Sequence, residues 1–375
     1  MNIHIYPSSF KNESRIEKQV ASIAKLDLFK KILLIGAGPK SSRFLKSGAE
    51  VVLLGGDNTP ASLIGKLVRF IKWYFLIMSF LKNKDVKCIN AHSLSVLPLC
   101  VYLKKVKGAK LVYDAHELET ETNSTSGIKK IIAKLVEKFL ISQVDHIFVV
   151  SQSIRKFYQA AYGRSDIDVV LNAPHIKEPV KKNIFREQLG INKEDLIFLY
   201  QGALSKGRGI EVLLESFSRA KHKNACIVFM GYGPLVGMIK EYQKKFLNIH
   251  IFPAVSPEDI HEHTSSADVG FALIENTCLS YYYCMPNKLF EYGMAGIPCI
   301  VSNLPEMKSY VESYNCGFTL DFQDPDEILN LIDTILSSDI SSVKENARQG
   351  ALENNWEVQE RVMLRYYKNQ FWSNA

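Results

Sequence analysis

The residues with the clearest chemistry lie between Pro286 and Pro298, in the sequence PNKLFEYGMAGIP. This pattern predicts a helix that begins near Asn287, where the first turn leaves backbone N–H groups unpaired and carries a partial positive charge. Such a helix start can bind an anion, and Lys288 adds a full charge there. Glu291 follows one turn later, where its carboxylate can accept hydrogen bonds from both hydroxyls of a ribose. The stretch predicts a nucleotide site, although an ordinary helix with a solvated glutamate has the same pattern.

Two glycine-rich turns predict further contacts to the same ligand. The segment GALSKGRG, residues 202–209, follows a predicted strand and opens a helix, so its backbone can approach a phosphate closely. Lys206 and Arg208 supply positive charge, and an arginine can bind two phosphate oxygens at once. Gly231 and Gly233 follow the next predicted strand, where a tight turn can lie under a base or ribose. Each turn alone is a common strand-to-helix connection, but together with the first stretch they favour one nucleotide site.

The elements that must position these residues alternate between short apolar runs and helical periodicity. The predicted strands are residues 3–6, 31–35, 50–54, 86–90, 109–113, 146–150 and 168–171, then 196–200, 225–230, 249–252, 269–274 and 299–301. Repeated βα units with buried strands predict doubly wound parallel sheets, which bind ligands beyond the carboxyl ends of the strands. In the first half, residues in such positions include Arg15, His92 and His116.

Length and composition set the domain organisation. A chain of 375 residues with a 47% hydrophobic fraction is too long for one typical domain and has ample core for two. A polar connector precedes the strand at 196–200. We therefore expect two similar α/β domains, over residues 1–178 and 179–355, and a C-terminal helix, 356–375, that returns to the first domain.

Cysteine usage and the N-terminus indicate the compartment. The seven cysteines are odd in number and form no C-x-x-C pair, which favours reduced thiols over a disulfide or zinc framework. The N-terminal sequence MNIHIYPSS has no basic region followed by a long apolar stretch, so it predicts no signal peptide. We expect a cytoplasmic protein.

The positive charge is concentrated in the first half. Residues 1–178 contain 27 Lys and Arg against 15 Asp and Glu, a net +12, whereas the remainder has a net charge of −5. Such a basic half favours an anionic partner surface. The apolar segment 63–81 is interrupted by basic residues and is too short to span a bilayer. Its spacing is typical of an interfacial helix with Lys66, Arg69 and Lys72 beside apolar surface from Phe70, Trp73, Tyr74, Phe75 and Leu81.

This arrangement predicts docking on the inner face of the plasma membrane. The alternative is a crossover helix packed on the sheet with a basic outer face, and the pattern leaves both open.

The order of these motifs resembles glycosyltransferase family 4. The matching segments are Gly202-x-Leu204 with Arg208-Gly209, Gly231-Tyr232-Gly233-Pro234, Ala267-Asp268-Val269-Gly270, Pro286–Tyr292 and Ala295-Gly296-x-Pro298, with Arg15, Tyr113–Leu118 and Val170-Leu171-Asn172 in the first half. The resemblance covers nearly the whole chain. It implies a retaining enzyme with the GT-B fold, in which two Rossmann-like domains face a central cleft. The resemblance also implies that residues 1–178 form the acceptor-binding domain and residues 179–355 the nucleotide-sugar-binding domain.

Matched position by position, the resemblance also implies residue roles. Glu291 corresponds to the glutamate that holds the ribose, Arg208 to a cation on the donor diphosphate, and His116 to the histidine that reaches the transferred sugar near the reacting bond. We assign His116 and Arg208 to catalysis and Arg15 and His92 to the acceptor side. The remaining nucleotide contacts fall on Gly202, Lys206, Gly231, Gly233, Asn287, Lys288 and Leu289.

Two positions depart from the family pattern. Ala203 stands where the family has an arginine in the first glycine loop, which leaves Arg208 and Lys206 to neutralise the diphosphate. Tyr283 stands where a glutamate contacts the donor sugar, so Glu275 or the amides of the loop 277–285 can take that part.

These observations predict a retaining hexosyltransferase that moves a sugar from a UDP- or GDP-sugar to a glycan acceptor, lipid-linked, in cell-surface polysaccharide biosynthesis. We expect no metal and no other cofactor, because the helix start, Lys288 and Arg208 can stabilise the charge on a departing diphosphate without one. Two alternatives stay open at this point. One is an epimerase or phosphorylase of the same two-domain shape. The other is a nucleic-acid-binding protein, which the charge alone suggests and which needs aromatic and basic residues along a groove; we expect no nucleic-acid partner.

Overall fold

The computed structural model describes residues 1–11, 13–56, 62–180, 182–220, 224–321 and 324–372. The chain divides into two units, one of Met1–Val170 with Glu360–Ala375 and one of Leu171–Gln359. Each unit is an α/β sandwich built on a single sheet. Within the described parts of the chain, no helix combines the length and apolarity needed to cross a bilayer.

The sheet of the first unit has eight strands in the order β3-β4-β2-β1-β5-β6-β7-β8. Its strands are β1 Asn2–Ile5, β2 Ile32–Ala37, β3 Ser41–Phe44, β4 Glu50–Leu54, β5 Cys88–Ala91, β6 Lys110–Ala115, β7 His146–Val149 and β8 Ile167–Val169. Its helices are α1 Ser14–Ala24, α2 Leu63–Leu81, α3 Leu97–Lys107, α4 Gly127–Ile141 and α5 Gln152–Tyr162. All pairs are parallel except β3 with β4. Strand β3 was not predicted, because its sequence SSRF is fully exposed and has no apolar alternation.

The sheet of the second unit has the strand order β11-β10-β9-β12-β13-β14, and every pair is parallel. Its strands are β9 Leu196–Ala203, β10 Ala225–Tyr232, β11 Ile249–Pro253, β12 Val269–Ala272, β13 Cys299–Ser302 and β14 Gly317–Leu320. Its helices are α6 Ile184–Leu189, α7 Ile210–Arg219, α8 Val236–Gln243, α9 Ile260–Thr264, α10 Leu279–Tyr282, α11 Asn287–Met294, α12 Pro305–Tyr314, α13 Pro325–Ser337 and α14 Ser341–Glu353. A last helix, α15 Trp356–Phe371, begins in the second unit and continues in the first.

The four central strands of the second sheet, β9, β10, β12 and β13, are buried on both faces, as the continuous apolar runs predict. In β9, for example, Ile197 and Leu199 belong to the core on one face, and Phe198 and Tyr200 to the core on the other. The predicted fold class, two Rossmann-like α/β units, is confirmed by the observed sheet orders.

Helix α2 corrects one detail of the sequence interpretation. Trp73 and Leu81, which we expected at the surface, are buried, and the Trp73 indole Nε1–H donates to the carbonyl oxygen of Gly36 at 2.9 Å. A helix that crosses a sheet must bury one face against it, and the largest apolar side chain of α2 takes that position. The outer face instead carries Lys66, Lys72 and the exposed apolar side chains Ile64, Leu67, Val68, Ile71, Phe75 and Leu76.

Candidate functional site

A cavity of about 440 Å³ lies in the second unit, at the carboxyl ends of β9 and β10 and the start of α11. This is the position at which parallel α/β sheets bind ligands. Six of the predicted site residues line it: Gly202, Arg208, Gly231, Asn287, Lys288 and Glu291. The other lining residues are Tyr200, Gln201, Ala203, Met230, Tyr232, Ala254, Val255, Ile260 and Pro286.

Lys288 and Arg208 make this cavity electropositive. The Lys288 ammonium lies 3.7 Å from the centre of the Tyr200 ring, a distance at which the negative ring face attracts a cation. Burial, and then the positive charge of Arg208, lower the pKa of Lys288 to about 7. The Arg208 guanidinium lies 4.8 Å from the centre of the Tyr281 ring. Two cations held together in a partly desolvated site favour a ligand with a concentrated negative charge, such as a diphosphate.

Glu291 is held by a residue that sequence reasoning missed. The side-chain Nε2 of Gln201 donates to Glu291 Oε2 at 2.6 Å, and its Oε1 accepts from the Thr264 hydroxyl at 2.7 Å. Gln201 and Thr264 are both buried, so the carboxylate of Glu291 has a fixed orientation at the cavity wall. No sequence motif identifies Gln201; its only mark is a polar side chain directly before Gly202 in an otherwise apolar strand.

Backbone forms the floor of the cavity where strands β9 and β10 end. A Cβ added at Gly231 would lie 1.9 Å from the carbonyl oxygen of Gly202, so no other residue fits without moving that strand. Gly202 itself has a φ of +118°, and Lys288 Nζ lies 3.9 Å from the position of an added Cβ there. Gly231 is thus required by the close pairing of β9 with β10, and Gly202 by its positive φ.

Five predicted residues do not line the cavity. Lys206 is exposed, Leu289 is buried in the core, and Gly233 packs against the carbonyl of Leu204. Glu275 and Tyr283 belong to a loop that packs on the first glycine turn, where the Glu275 N–H donates to the Gly207 carbonyl oxygen at 3.0 Å. The aromatic side chain of this loop that meets Arg208 is Tyr281.

A second group of predicted residues meets inside the first unit, at the carboxyl end of β6. Arg15 pairs with Asp114, with Nη2 2.6 Å from Oδ1 and Nε 3.1 Å from Oδ2. The same Oδ2 lies 2.9 Å from His116 Nε2, 3.1 Å from His92 Nδ1 and 2.8 Å from Gln19 Nε2. Of the three predicted residues, only His116 is partly exposed, while Arg15 and His92 are buried. Their burial favours a role in positioning Asp114 and His116 over direct contact with an acceptor.

Asp114 is the centre of this group. Burial disfavours its charged form, but the Arg15 guanidinium and the hydrogen bonds from His116 and His92 outweigh burial and hold its pKa well below the usual value. The residue is therefore an ionised carboxylate that can only accept hydrogen bonds. Sequence reasoning included Asp114 only in the segment Tyr113–Leu118 and did not assign it to the site.

Among the described residues, His92, Asp114 and His116 form a group with the spacing of metal ligands, with ligand atoms within 4.8 Å of one another. The donor set includes imidazole and carboxylate, which suit several divalent cations. However, the carboxylate already carries the Arg15 guanidinium, whose positive charge opposes a metal ion at the same place. The hydrogen bonds within the protein account for this group.

Two family models match the chain. The model described as "Glycosyl transferases group 1" matches residues 181–352, and the model described as "Glycosyltransferase Family 4" matches residues 38–175. Together they span most of both units. The first match contains the whole cavity, and the second contains His92, Asp114 and His116.

One relative and two solved structures illustrate the similarity. The chain is 27% identical over 207 residues to the lipopolysaccharide 1,2-N-acetylglucosaminetransferase of Salmonella typhimurium. The aligned region covers 51% of this chain and 53% of the relative. The chain thus spans about half the length of that protein. Sucrose-phosphate synthase from Thermosynechococcus elongatus is similar with a TM-score of 0.82 at 15% identity, covering 99% of each chain. Anabaena HepE in complex with UDP-glucose is similar with a TM-score of 0.75 at 15% identity, covering 98% of this chain and 99% of its own.

Lys288 generates a prediction about proton linkage. With a pKa of about 7, only roughly a tenth of the side chains carry a proton at pH 8, whereas a bound diphosphate raises that pKa. Binding of UDP at pH 8 should therefore take up nearly one proton per site, measured by calorimetry in two buffers of different ionisation enthalpy. Lys288→Met should abolish the uptake, and Lys206→Met, at an exposed position outside the cavity, should retain it. A binding enthalpy of the parent that does not depend on the buffer would contradict the assignment.

Proposed function

Because this chain belongs to glycosyltransferase family 4, we propose that it moves a sugar from a UDP- or GDP-sugar to a glycan acceptor with retention of the anomeric configuration. The cavity of the second unit carries the proposal, because it combines an oriented carboxylate with two cations and a helix start. Glu291 accepts the ribose hydroxyls, and Arg208, Lys288 and the first amides of α11 bind the diphosphate. The UDP-glucose complex of the similar HepE structure supports a uridine donor.

Breaking the bond between the sugar and the diphosphate leaves negative charge on the departing group. Arg208 and Lys288 are in place before the reaction and stabilise that charge, which is the part a metal ion plays in other transferases. The proposed reaction is therefore independent of metal. The acceptor hydroxyl forms the new bond to the anomeric carbon, and its proton passes to an oxygen of the departing diphosphate. His116 contacts the transferred sugar.

The acceptor is proposed to be a lipid-linked glycan of the cell surface. The support is the similarity to a lipopolysaccharide N-acetylglucosaminetransferase over about half of each chain. A lipid-linked acceptor lies at a membrane, and the first unit offers a surface that suits one.

That surface consists of three neighbouring helices, α2, α3 and α4. Lys107 at the end of α3 donates to the Leu81 carbonyl oxygen at the end of α2 at 2.6 Å, and α3 also contacts α4. Of the twenty large hydrophobic side chains that are exposed in the described residues, thirteen belong to these three helices. Scattered exposed apolar residues are normal, but such a concentration marks an interaction site.

Helix α4 has its apolar face turned away from the core. Five apolar side chains recur at helical spacing and are exposed, from 48% for Leu135 to 75% for Ile128; the others are Ile131, Ile132 and Phe139. The inner face instead carries Glu137, which is buried and accepts hydrogen bonds at 2.6 Å from the hydroxyls of Tyr158 and Tyr162. Lys129, Lys130, Lys134 and Lys138 lie on the same helix. An outward apolar stripe with lysines fits the headgroup region of an anionic bilayer.

We therefore place the protein in the cytoplasm, docked reversibly on the inner face of the plasma membrane through α2 and α4. Each basic residue near an anionic surface contributes about 1 kcal/mol, so a few lysines give reversible attachment to which apolar burial adds.

The chemical proposal predicts the following activities. A panel of UDP- and GDP-sugars should contain at least one donor that the enzyme hydrolyses slowly or transfers, at a rate unaffected by EDTA. Arg208→Ala should lower kcat by about 10²–10³-fold, the loss typical of one preorganised charge donor. Lys206→Ala, two residues away but exposed, is the matched control and should leave kcat nearly unchanged. Strict dependence on Mg²⁺ or Mn²⁺, or equal losses in the two variants, would contradict this mechanism.

The docking surface predicts binding to vesicles. Sedimentation of the full chain with phosphatidylglycerol-containing vesicles should increase with anionic lipid and decrease with salt. The Lys66/Arg69/Lys72→Glu triple variant and an Ile131/Leu135/Phe139→Ser variant should both bind more weakly. The control is Lys240/Lys244/Lys245→Glu, which makes the same charge change on the second unit and should bind as the parent does. Indifference of the folded parent to anionic vesicles at low salt would show that the surface does not bind a membrane.

A further inference from the structure

A continuous chain of buried polar side chains connects helix α15 with His116 in the first unit. The Tyr367 hydroxyl lies 2.5 Å from Asn90 Oδ1, and Asn90 Nδ2 lies 3.4 Å from His4 Nε2. His4 Nδ1 lies 2.8 Å from His92 Nε2, and His92 Nδ1 lies 3.1 Å from Asp114 Oδ2. The two imidazole rings are stacked, with centroids 5.1 Å apart. Asp114 Oδ2 then lies 2.9 Å from His116 Nε2. We call this set the buried chain.

Every hydrogen bond in the buried chain has one possible direction. Asp114 is an ionised carboxylate and only accepts, so His92 Nδ1 carries a proton and donates to it. Burial lowers the pKa of His92 and of His4, so both rings are neutral and each has one bare nitrogen. His92 Nε2 is therefore bare and accepts from His4 Nδ1–H, which leaves His4 Nε2 bare on the side of the Asn90 amide.

The far end of the buried chain agrees with this direction. Asn90 Nδ2 also lies 2.5 Å from Asn2 Oδ1 and 3.1 Å from the carbonyl oxygen of Ile3, both of which accept. Its Oδ1 then accepts from the Tyr367 hydroxyl. The Ile3 carbonyl oxygen thus fixes the orientation of the Asn90 amide, and Asp114 fixes the tautomers of His92 and His4.

The direction matters for His116 because a second partner lies close to it. His116 Nε2 is 3.3 Å from His92 Nδ1 as well as 2.9 Å from Asp114 Oδ2. If His92 Nδ1 were bare, it would compete with Asp114 as an acceptor. Since it carries a proton, Asp114 is the acceptor that His116 Nε2 faces, and no described residue pairs with His116 Nδ1.

We propose that Asp114, oriented by Arg15 and by the buried chain, fixes His116 with its proton on Nε2, so that Nδ1 accepts a hydrogen bond from a hydroxyl of the transferred sugar. This inference rests on the proposed function only in assigning the sugar contact to His116. Asp114 is thereby a positioning residue, and the donors that the enzyme uses carry a hydroxyl at the position that meets Nδ1. An anion or a carbonyl group in that place has no proton to donate and is excluded.

The tautomer is measured directly by NMR of the full chain labelled in the histidine rings. The His116 resonances are assigned with His116→Gln, and the chemical shifts of the ring nitrogens report which nitrogen carries the proton. We expect the proton on Nε2. His263 serves as the opposite reference, since its Nδ1 lies 2.9 Å from the Asp259 carbonyl oxygen and must donate. A proton on Nδ1 of His116 would overturn the proposal.

Asp114→Asn tests the consequence for catalysis. Arg15 requires the amide oxygen, so the NH₂ group turns toward both His116 and His92. The proton of each ring must then leave the nitrogen that faces the amide, which moves the proton of His116 to Nδ1. The variant should show that shift by NMR and a decrease in kcat of about ten- to hundredfold, with UDP bound in the second unit as tightly as by the parent. A folded variant with the parental tautomer and the parental kcat would refute the positioning role.

If Asp114→Asn does not fold because Arg15 is left buried without its partner, the tautomer of the parent decides the question. If the parent shows the expected tautomer but transfers no sugar from any donor, the proposed function fails and the assignment of the tautomer stands.

Discussion

The cavity of the second unit depends on how closely helix α11 is packed, and one buried tyrosine sets that distance. The Tyr292 ring lies over Gly270, where an added Cβ would come within 2.4 Å of it. The Tyr292 hydroxyl accepts from the Gln201 N–H at 3.2 Å and lies 3.0 Å from the Phe271 carbonyl oxygen. On its other side, α11 has Gly293, where a Cβ would lie 2.6 Å from the Ala347 carbonyl oxygen of α14. Held from both sides, the helix start cannot shift, and Lys288 and Glu291 reach the cavity in fixed positions.

The cavity therefore concentrates positive charge at a cost to stability. A lysine with a pKa lowered to about 7 is a group whose charged form the protein itself disfavours. Burying a cation lowers the folding stability of the ligand-free protein. A bound anion stabilises the charged form of Lys288 and offsets that loss. The first unit differs, because the buried charges of Arg15 and Asp114 compensate each other. This ion pair holds the side chains around it in fixed positions.

Sequence patterns predicted the βα units, the helix start at Asn287 and six residues of the cavity, because these features depend on local periodicity and on turn chemistry. They did not identify Gln201, whose role depends on contacts with Glu291 and Thr264 that are distant in sequence. Lys206 and Arg208 are equivalent by spacing, and only the turn geometry exposes one and directs the other into the cavity. The prediction that Trp73 lies on the exposed face of α2 was wrong, because the tryptophan is buried. The spacing of the basic residues does not determine which apolar side chains of α2 pack against the sheet.

The central claim is that Glu291 recognises the ribose of a donor nucleotide, and a double comparison by titration calorimetry tests it most directly. UDP and 2′-deoxy-UDP are titrated into the parent, Glu291→Ala, and the control Glu275→Ala, which changes a carboxylate outside the cavity. The account predicts that Glu291→Ala raises the Kd for UDP by at least about tenfold, as expected for hydrogen bonds to a charged group. It also predicts that the parent and Glu275→Ala discriminate against the deoxynucleotide whereas Glu291→Ala does not. Equal discrimination by all three proteins, or UDP binding by Glu291→Ala as tight as by the parent, would contradict it.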